Sequence, residues 1–475
     1  MAIHFDENNL FSEVVGEEHG LTPAERKEGA SAARDALRGF QTGNLGKHLK
    51  DSRHGFPHLP FQNDTIKQIL SYAAGVRDSF DTVCVIGIGG SALGGWALDC
   101  GIRGPHPVQG EHSTSFPKLV ILDNIDPFLV EKALDSMKPK RTLAVVIAKS
   151  GATAETMAVF LIVREWLQHK LGKRAARHIV AVTSEGKGDL KKLATDEGYR
   201  TFNIPENVGG RFSVLSAVGL VPAALIGIDI KRLVKGAAEM TERCWGNSIE
   251  ENIALRAAML HYLVLTRKNK PIQVAFPYSN QLWGTAFWFR QLWAESLGKA
   301  KLRSGEQVHV GQTPVAALGT TDQHSQVQLY MEGPNDKVFT FWAVRKFAAA
   351  GKIPKVSTGF EAIDYLAGQS LAKLIEAERH ATAAALTAAG RPNCTFTLDR
   401  VDEQHLGAFL QMMEFETAFM GEMLNVNAFD QEGVELGKKF TFALMGRGGF
   451  DEYQARFAAY EAKRGGMSKA AGKRG

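Results

Sequence analysis

Four short apolar runs recur through the first half of the chain: TVCVIG (82–87), KLVIL (118–122), TLAVVI (142–147) and HIVAVT (178–183). Each is rich in Val and Ile, and helical spacing of apolar residues separates them. Continuous β-branched runs of this length suit strands buried on both faces, and strands alternating with helices imply parallel pairing. After a mostly helical bridge, about 213–268, a second alternation begins. PIQVAF (271–276), QVQLY (326–330), KVFTFW (337–342) and CTFTLD (394–399) read as strands. Helices are predicted over 281–298, near 360–388, over 403–424 and over 430–444. The pattern predicts an α/β protein with two doubly wound domains, mainly parallel sheets, and helical extensions at both ends. The expected boundaries are a helical extension over 1–60, a first α/β domain over 61–225, a bridge over 226–268, a second α/β domain over 269–430, and C-terminal helices with a basic tail over 431–475.

Composition narrows the class of function. The chain has 475 residues, 44% hydrophobic and 23% charged, as a globular protein does. Its formal charge is +5, but Lys463, Arg464, Lys469, Lys473 and Arg474 crowd the last stretch with no acid among them. The body is therefore neutral, which argues against a nucleic-acid surface. The tail reads as a disordered basic end. Cys84, Cys100, Cys244 and Cys394 lie far apart with no CxxC, as reduced thiols of a cytoplasmic protein would. No secretory leader and no uncharged apolar run of about 18 residues is expected, so no membrane association either. His48, His54 and His58 fit no zinc spacing and read as surface histidines.

Two loops carry candidate chemistry. VIGIGGSALG runs from a strand through Gly87, Gly89, Gly90 and Ser91 into a helix. Such a loop can hold a dinucleotide pyrophosphate or a single phosphate, or simply let strand and helix pack closely. A dinucleotide site wants an acid about 20 residues on, at the end of the next strand. Asp123 ends that strand, but 33 residues beyond Gly90. The second loop, AKSGATAET, supplies Lys149, Ser150 and Thr153 between the third strand and its helix. Two hydroxyl-bearing loops at neighbouring strand ends favour one monophosphate dianion, held at Ser91, Ser150 and Thr153.

A base is sought in the apolar helix 281–298. Gln291 and Glu295 lie four apart and share a face. Burial and the negative end of the helix dipole both push the Glu295 carboxyl toward the range of a general base. The bland alternative is an ion pair with Lys299 or Lys301. Arg211, in GGRFS before an apolar helix, offers a fixed cation for a developing oxyanion, or a cap for neighbouring carbonyls. His324 falls at a loop–strand junction. Gln431 and Lys438, seven apart, are expected on one face of a helix, with Lys439 turned away.

Taken together, VIGIGGSALG, AKSGATAET, NVGGRFSVLSAVG, QLWAESLGK, GTTDQHSQVQLY and NAFDQEGVELGK resemble the glucose-6-phosphate isomerase (phosphoglucose isomerase) family, in the family's order. The resemblance implies two SIS-type sugar-isomerase domains, a hexose 6-phosphate substrate, no metal and no organic cofactor. It implies a homodimer whose active site lies at the subunit interface. Gly90, Ser91, Lys149, Ser150 and Thr153 would line the phosphate end, and Gln291 and Gln431 would orient the sugar. Glu295 would move the proton between C2 and C1, Arg211 would steady the cis-enediol, and His324, from the neighbouring subunit, and Lys438 would open the ring. Ala148 departs from the family's usual serine, at the expected loss of one hydroxyl contact. The rival readings are another SIS-domain sugar-phosphate isomerase, a non-catalytic sugar-phosphate sensor, and a dehydrogenase.

Overall fold

The computed structural model describes residues 3–104, 116–186 and 188–471, with the backbone alone for 465–471. The chain packs as two compact units, Met1–Ala428 and Phe429–Gly475. In the first unit, β1 (Ile3–Asp6) opens the chain. A parallel sheet follows: β2 (Thr82–Ile86), β3 (Lys118–Leu122), β4 (Thr142–Ile147), β5 (Ile179–Ser184) and β6 (Arg200–Ile204), in the order β3-β2-β4-β5-β6. A second group comprises β7 (Ile272–Pro277), the hairpin of β8 (Lys299–Lys301) and β9 (Gln307–Val310), β10 (Thr313–Ala316), β11 (Lys337–Val344) and β12 (Asn393–Leu398). The second sheet has the order β1-β12-β11-β7-β10 and is parallel except for β1.

The fully apolar runs became central strands because they can be covered on both faces. Cys84, Val146 and Ile179 share one core with Phe160, Val163 and Leu167 of the helix Ala154–Leu171. Val274, Phe276, Phe339 and Phe341 share another with Leu386. Each such side chain contributes about 1.5–3 kcal/mol of burial. Of the four edge strands of the two large sheets, β3 was read as KLVIL, and the other three escaped the sequence pattern. RTFNI of β6 alternates, TPVA of β10 contains a proline that only an edge tolerates, and β1 lies within the expected helical extension. β1 is held antiparallel to β12, with Phe5 stacked on Phe396 at 4.5 Å. QVQLY is not a strand. Residues Val327–Glu332 form a short helix that seats Tyr330 against Phe339, and β10 takes the sheet position.

The strand order fixes where ligands can bind. β2 lies between β3 and β4, and β7 between β10 and β11, so the strand order of each sheet reverses at its first parallel strand. Crevices open at the C-terminal ends of strands where the order reverses. The glycine loop and the Lys149 loop lie at the first of these, after β2 and β4. At the second, a cleft of about 540 Å³ is lined by Ser279, Thr320, His324, Phe347, Leu371 and Glu378.

Among the described residues, two histidines are buried. His54 is not on the surface: it is 8% exposed, its ring lies 6.0 Å from that of Phe40, and burial with Arg53 and Arg303 pulls its pKa to about 3. The short 3-10 helix Phe56–Phe61 folds this segment inward where a loop was expected. His261 contacts Glu416 at 2.7 Å and Thr340 at 3.2 Å inside the core. Burial pulls the His261 imidazole down, but its contacts with Cys394 and Glu416 outweigh this and lift its pKa from 6.5 to about 10. A raised folded-state value stabilises the fold fully below pH 6.5, and the contribution is lost as pH rises through about 10. Accordingly, the melting temperature should fall between pH 7 and 10 more steeply in the native chain than in Glu416→Gln. Parallel melting curves for the two would refute the assignment.

In the second unit, helices Glu435–Leu444 and Asp451–Ala471 face each other through Phe440 and Phe457, 5.5 Å apart. The basic tail is thus helical through Ala471, not disordered from 462 onward; Lys473 and Arg474 lie outside the described residues.

Candidate active site

Three segments meet at the first crevice. The helix Gly90–Arg103 begins immediately after Gly89, whose φ of +58° and ψ of −122° few side-chain-bearing residues adopt. Gly90 touches the backbone of the turn Gly210–Phe212, since a Cβ there would lie 2.1 Å from the Gly210 carbonyl oxygen. A Cβ on Gly89 would lie 2.8 Å from Gln291 Nε2, on the helix Trp283–Leu297. The glycines therefore bring the loop, the arginine turn and the glutamate helix into direct contact. Ser91 is half-buried in the first turn of its helix, where a helix N-terminus favours an anion.

Arg211 is buried, 2% exposed, and sits in the 3-10 turn several residues before the apolar helix Ala217–Leu225, not at that helix's start. Its Nε donates to Ser296 Oγ at 2.7 Å and its Nη2 to the Ala428 carbonyl at 2.6 Å. Its Nη1 stands 3.5 Å from Glu295 Oε1, and Gln291 Nε2 donates to Glu295 Oε2 at 3.1 Å. Arg211 thus binds a carbonyl, as the capping reading expects, and it also faces a carboxylate. Glu295 departs from its reading as a deeply buried carboxyl. Its side chain is 23% exposed, and it faces the Arg211 guanidinium. Gly298 closes the helix with extended backbone, φ −73° and ψ 93°.

The second loop divides its residues between two tasks. Lys149 Nζ donates to the carbonyls of Glu206 at 2.7 Å and Val208 at 3.0 Å, so it ties the loop to the segment leading into Arg211. Burial holds its pKa below the usual lysine range. Ser150 is exposed, and its Oγ accepts from the Ala152 amide at 3.3 Å. Thr153 begins the helix Ala154–Leu171 without spending its hydroxyl as a cap. Ala148, 2% exposed, packs with the apolar core beneath the loop.

His324 and Lys438 are not among these contacts. His324 ends the 3-10 helix Thr321–His324 and lines the cleft of the second sheet; it is followed by a helix where a strand was expected. In the second unit, Lys438 Nζ pairs with Glu435 Oε1 at 2.8 Å while Lys439 bonds Tyr453, so the two lysines do diverge. Gln431 lies outside the helix Glu435–Leu444, before a 3-10 turn at Glu432–Val434, and does not share its face with Lys438. Sequence reading missed Ser296 and the Ala428 carbonyl. A serine in an apolar helix reads as a small packing residue; its place directly after Glu295 was the one available signal.

The family model for phosphoglucose isomerase matches residues 71–457, a span that holds every candidate residue from Gly90 to Lys438. The chain belongs to the phosphoglucose isomerase family. A glucose-6-phosphate isomerase of Carboxydothermus hydrogenoformans is 44% identical over 95% of this chain and 96% of its own. One of Rubrobacter xylanophilus is 41% identical over 94% and 99%. Among solved structures, a Thermus thermophilus protein aligns with a TM-score of 0.82 at 35% identity, covering 94% of this chain and 100% of that one. A glucose-6-phosphate isomerase of Chlamydia trachomatis aligns at 0.79 with 23% identity, over 92% and 89%, and shares the two-sheet fold. In this member of the family, the glycine loop contacts the Arg211 turn and the helix that carries Gln291 and Glu295.

Proposed function

We infer that the chain interconverts glucose 6-phosphate and fructose 6-phosphate. The observation that carries this reading is Glu295, flanked by Arg211 and Gln291 and braced against the Gly89–Gly90 loop, in a chain of this family. Aldose–ketose exchange needs a weakly acidic proton removed beside a carbonyl. One carboxylate can take it from C2 and return it to C1 on the same face, and Glu295 fills that role. The negative charge of the enediolate gathers on O1 and O2, where the fixed guanidinium of Arg211 lowers the barrier. Gln291 orients the sugar from the same helix face, with Gln431 as its counterpart.

The phosphate does not react. It supplies binding energy that holds the carbon chain in register, and Gly90, Ser91, Ser150 and Thr153 receive it. Lys149 serves that end by anchoring its loop. A charge-assisted hydrogen bond is worth about 1.5–3 kcal/mol, so Ser91→Ala should raise KM by about 10-fold with little change in kcat. A fall in kcat alone would show that Ser91 does not hold the phosphate.

The carbonyl exists only once the ring is open, and His324 and Lys438 are the pair that opens it. His324 lines a different cleft from the one holding Glu295, which supports its delivery into the active site of a second copy in a homodimer. A fully active monomer in sedimentation would overturn this. Four buried, free cysteines support a cytoplasmic setting. Among the described residues, no helix is long and apolar enough to cross a membrane. The deciding experiment is a coupled assay of fructose 6-phosphate conversion to glucose 6-phosphate with a chelator present. Turnover unaffected by the chelator is expected. Absent turnover, or faster turnover of a mannose or amino-sugar phosphate, would overturn the assignment.

A further inference from the structure

We propose that Ser296 is a positioning residue for this reaction, one that holds the Arg211 guanidinium at its working distance from Glu295. The proposal rests on the roles read above for Arg211 and Glu295. Ser296 is 0% exposed and follows Glu295 on the same helix. Its Oγ accepts the single Nε–H of Arg211 at 2.7 Å, while Nη2 is held by the Ala428 carbonyl at 2.6 Å. Two bonds to different nitrogens fix the plane of a guanidinium.

With the plane fixed, Nη1 faces Glu295 Oε1 at 3.5 Å, longer than the 2.7–2.9 Å of a direct charge-assisted bond. The carboxylate and the guanidinium are thus held close but not closed on one another. A base locked into a bidentate pair with arginine would have its acceptor lone pairs occupied, and the cation would turn toward the carboxylate instead of the substrate oxygens. Ser296 prevents this collapse, because rotating the guanidinium toward Glu295 breaks the Nε bond. It also places base and cation on one rigid segment, so that they shift together. On the far side, the two carbonyl bonds of Lys149 restrain the chain entering the Arg211 turn.

The test is steady-state kinetics of the full chain with fructose 6-phosphate, using the native chain, Ser296→Ala, Arg211→Lys and the double variant. Ser296→Ala should lower kcat by about 10-fold and leave KM within about 2-fold. Lysine has no Nε–H, so Ser296→Ala should cost nothing more in the Arg211→Lys background. Ser296→Thr, which keeps the hydroxyl, should restore most of the loss. Native kcat in Ser296→Ala, or an equal further loss in the Arg211→Lys background, overturns the proposal. Should the alanine variant not fold, Ser296→Cys keeps the volume with a weak acceptor, and native kcat there overturns it as well. Undiminished kcat in Arg211→Lys would instead strike at the role of Arg211 itself, and the proposal would fall with it.

Discussion

Glu295→Gln is expected to lower kcat by about 10³-fold while the chain folds and binds substrate nearly as before, since a positioned general base contributes about 10²–10⁴-fold. Glutamine has the same shape but keeps one oxygen, so it can face either Arg211 Nη1 or Gln291 Nε2, which approach the two native carboxylate oxygens at 3.5 and 3.1 Å. What it cannot do is take a proton. Arg211 keeps its bonds to Ser296 and Ala428, so its burial remains compensated. The loss of one partly exposed ion pair should cost about 1 kcal/mol of stability. Two measurements separate chemistry from collapse. Calorimetric binding of fructose 6-phosphate should stay within a few-fold of native, and exchange of the substrate C1/C2 hydrogen with solvent should disappear. Near-native turnover in this variant would remove the base from the mechanism.

What the sequence disclosed follows from what each signal measures. Continuous apolar runs report burial on both faces, so central strands such as TVCVIG and TLAVVI were legible. The edge strands β1, β6 and β10 lack that signature and passed unseen, whereas β3, also at an edge, carries it in KLVIL and was read. QVQLY looked like a strand because a five-residue stretch cannot distinguish period 2 from a single helical turn that buries one tyrosine. Residue types that match the chemistry, such as Glu295 and Arg211, could be named. Their mutual pairing could not, because they come from segments remote in the chain that only the folded crevice joins. His54 was misread for the same reason: nothing local announces that Phe40 will cover it.

The position of the site is a consequence of strand order more than of any loop. Both sheets reverse at their first parallel strand and both open a crevice there, yet they are furnished differently. The first has glycine and hydroxyl loops with a buried arginine beside them. The cleft of the second is lined by Phe347, Leu371 and Glu378, and none of the described residues lining it is a lysine or arginine. A phosphate dianion is matched by the first environment and repelled by the carboxylate of the second. The same fold thus carries one crevice that suits an anion and one that presents His324.

Gly90→Ala is expected to lower kcat by at least about 10²-fold and to reduce stability, through a single added methyl group. That Cβ would lie 2.1 Å from the Gly210 carbonyl oxygen, 2.3 Å from its carbon and 2.7 Å from the Arg211 nitrogen. These are backbone atoms, so no rotamer change can relieve the clash and the Gly209–Arg211 turn must move. Displacing a catalytic group by about 1 Å can cost about 10²-fold in rate, and overpacking a tight interior costs about 1–3 kcal/mol. The same helix supplies the control. A Cβ on Gly95 would meet only Pro222 Cγ, at 3.9 Å, an ordinary contact. Gly95→Ala should therefore leave kcat unchanged and stabilise the fold by up to about 1 kcal/mol, the helical advantage of alanine. Thermal melts and fructose 6-phosphate kinetics on the two variants, side by side, read both effects. If Gly90→Ala matched Gly95→Ala in rate and melting temperature, the close approach of loop and turn would not be what seats Arg211. The contact between a glycine and a glycine would then be incidental to catalysis, and the site would owe its geometry to the Trp283–Leu297 helix alone.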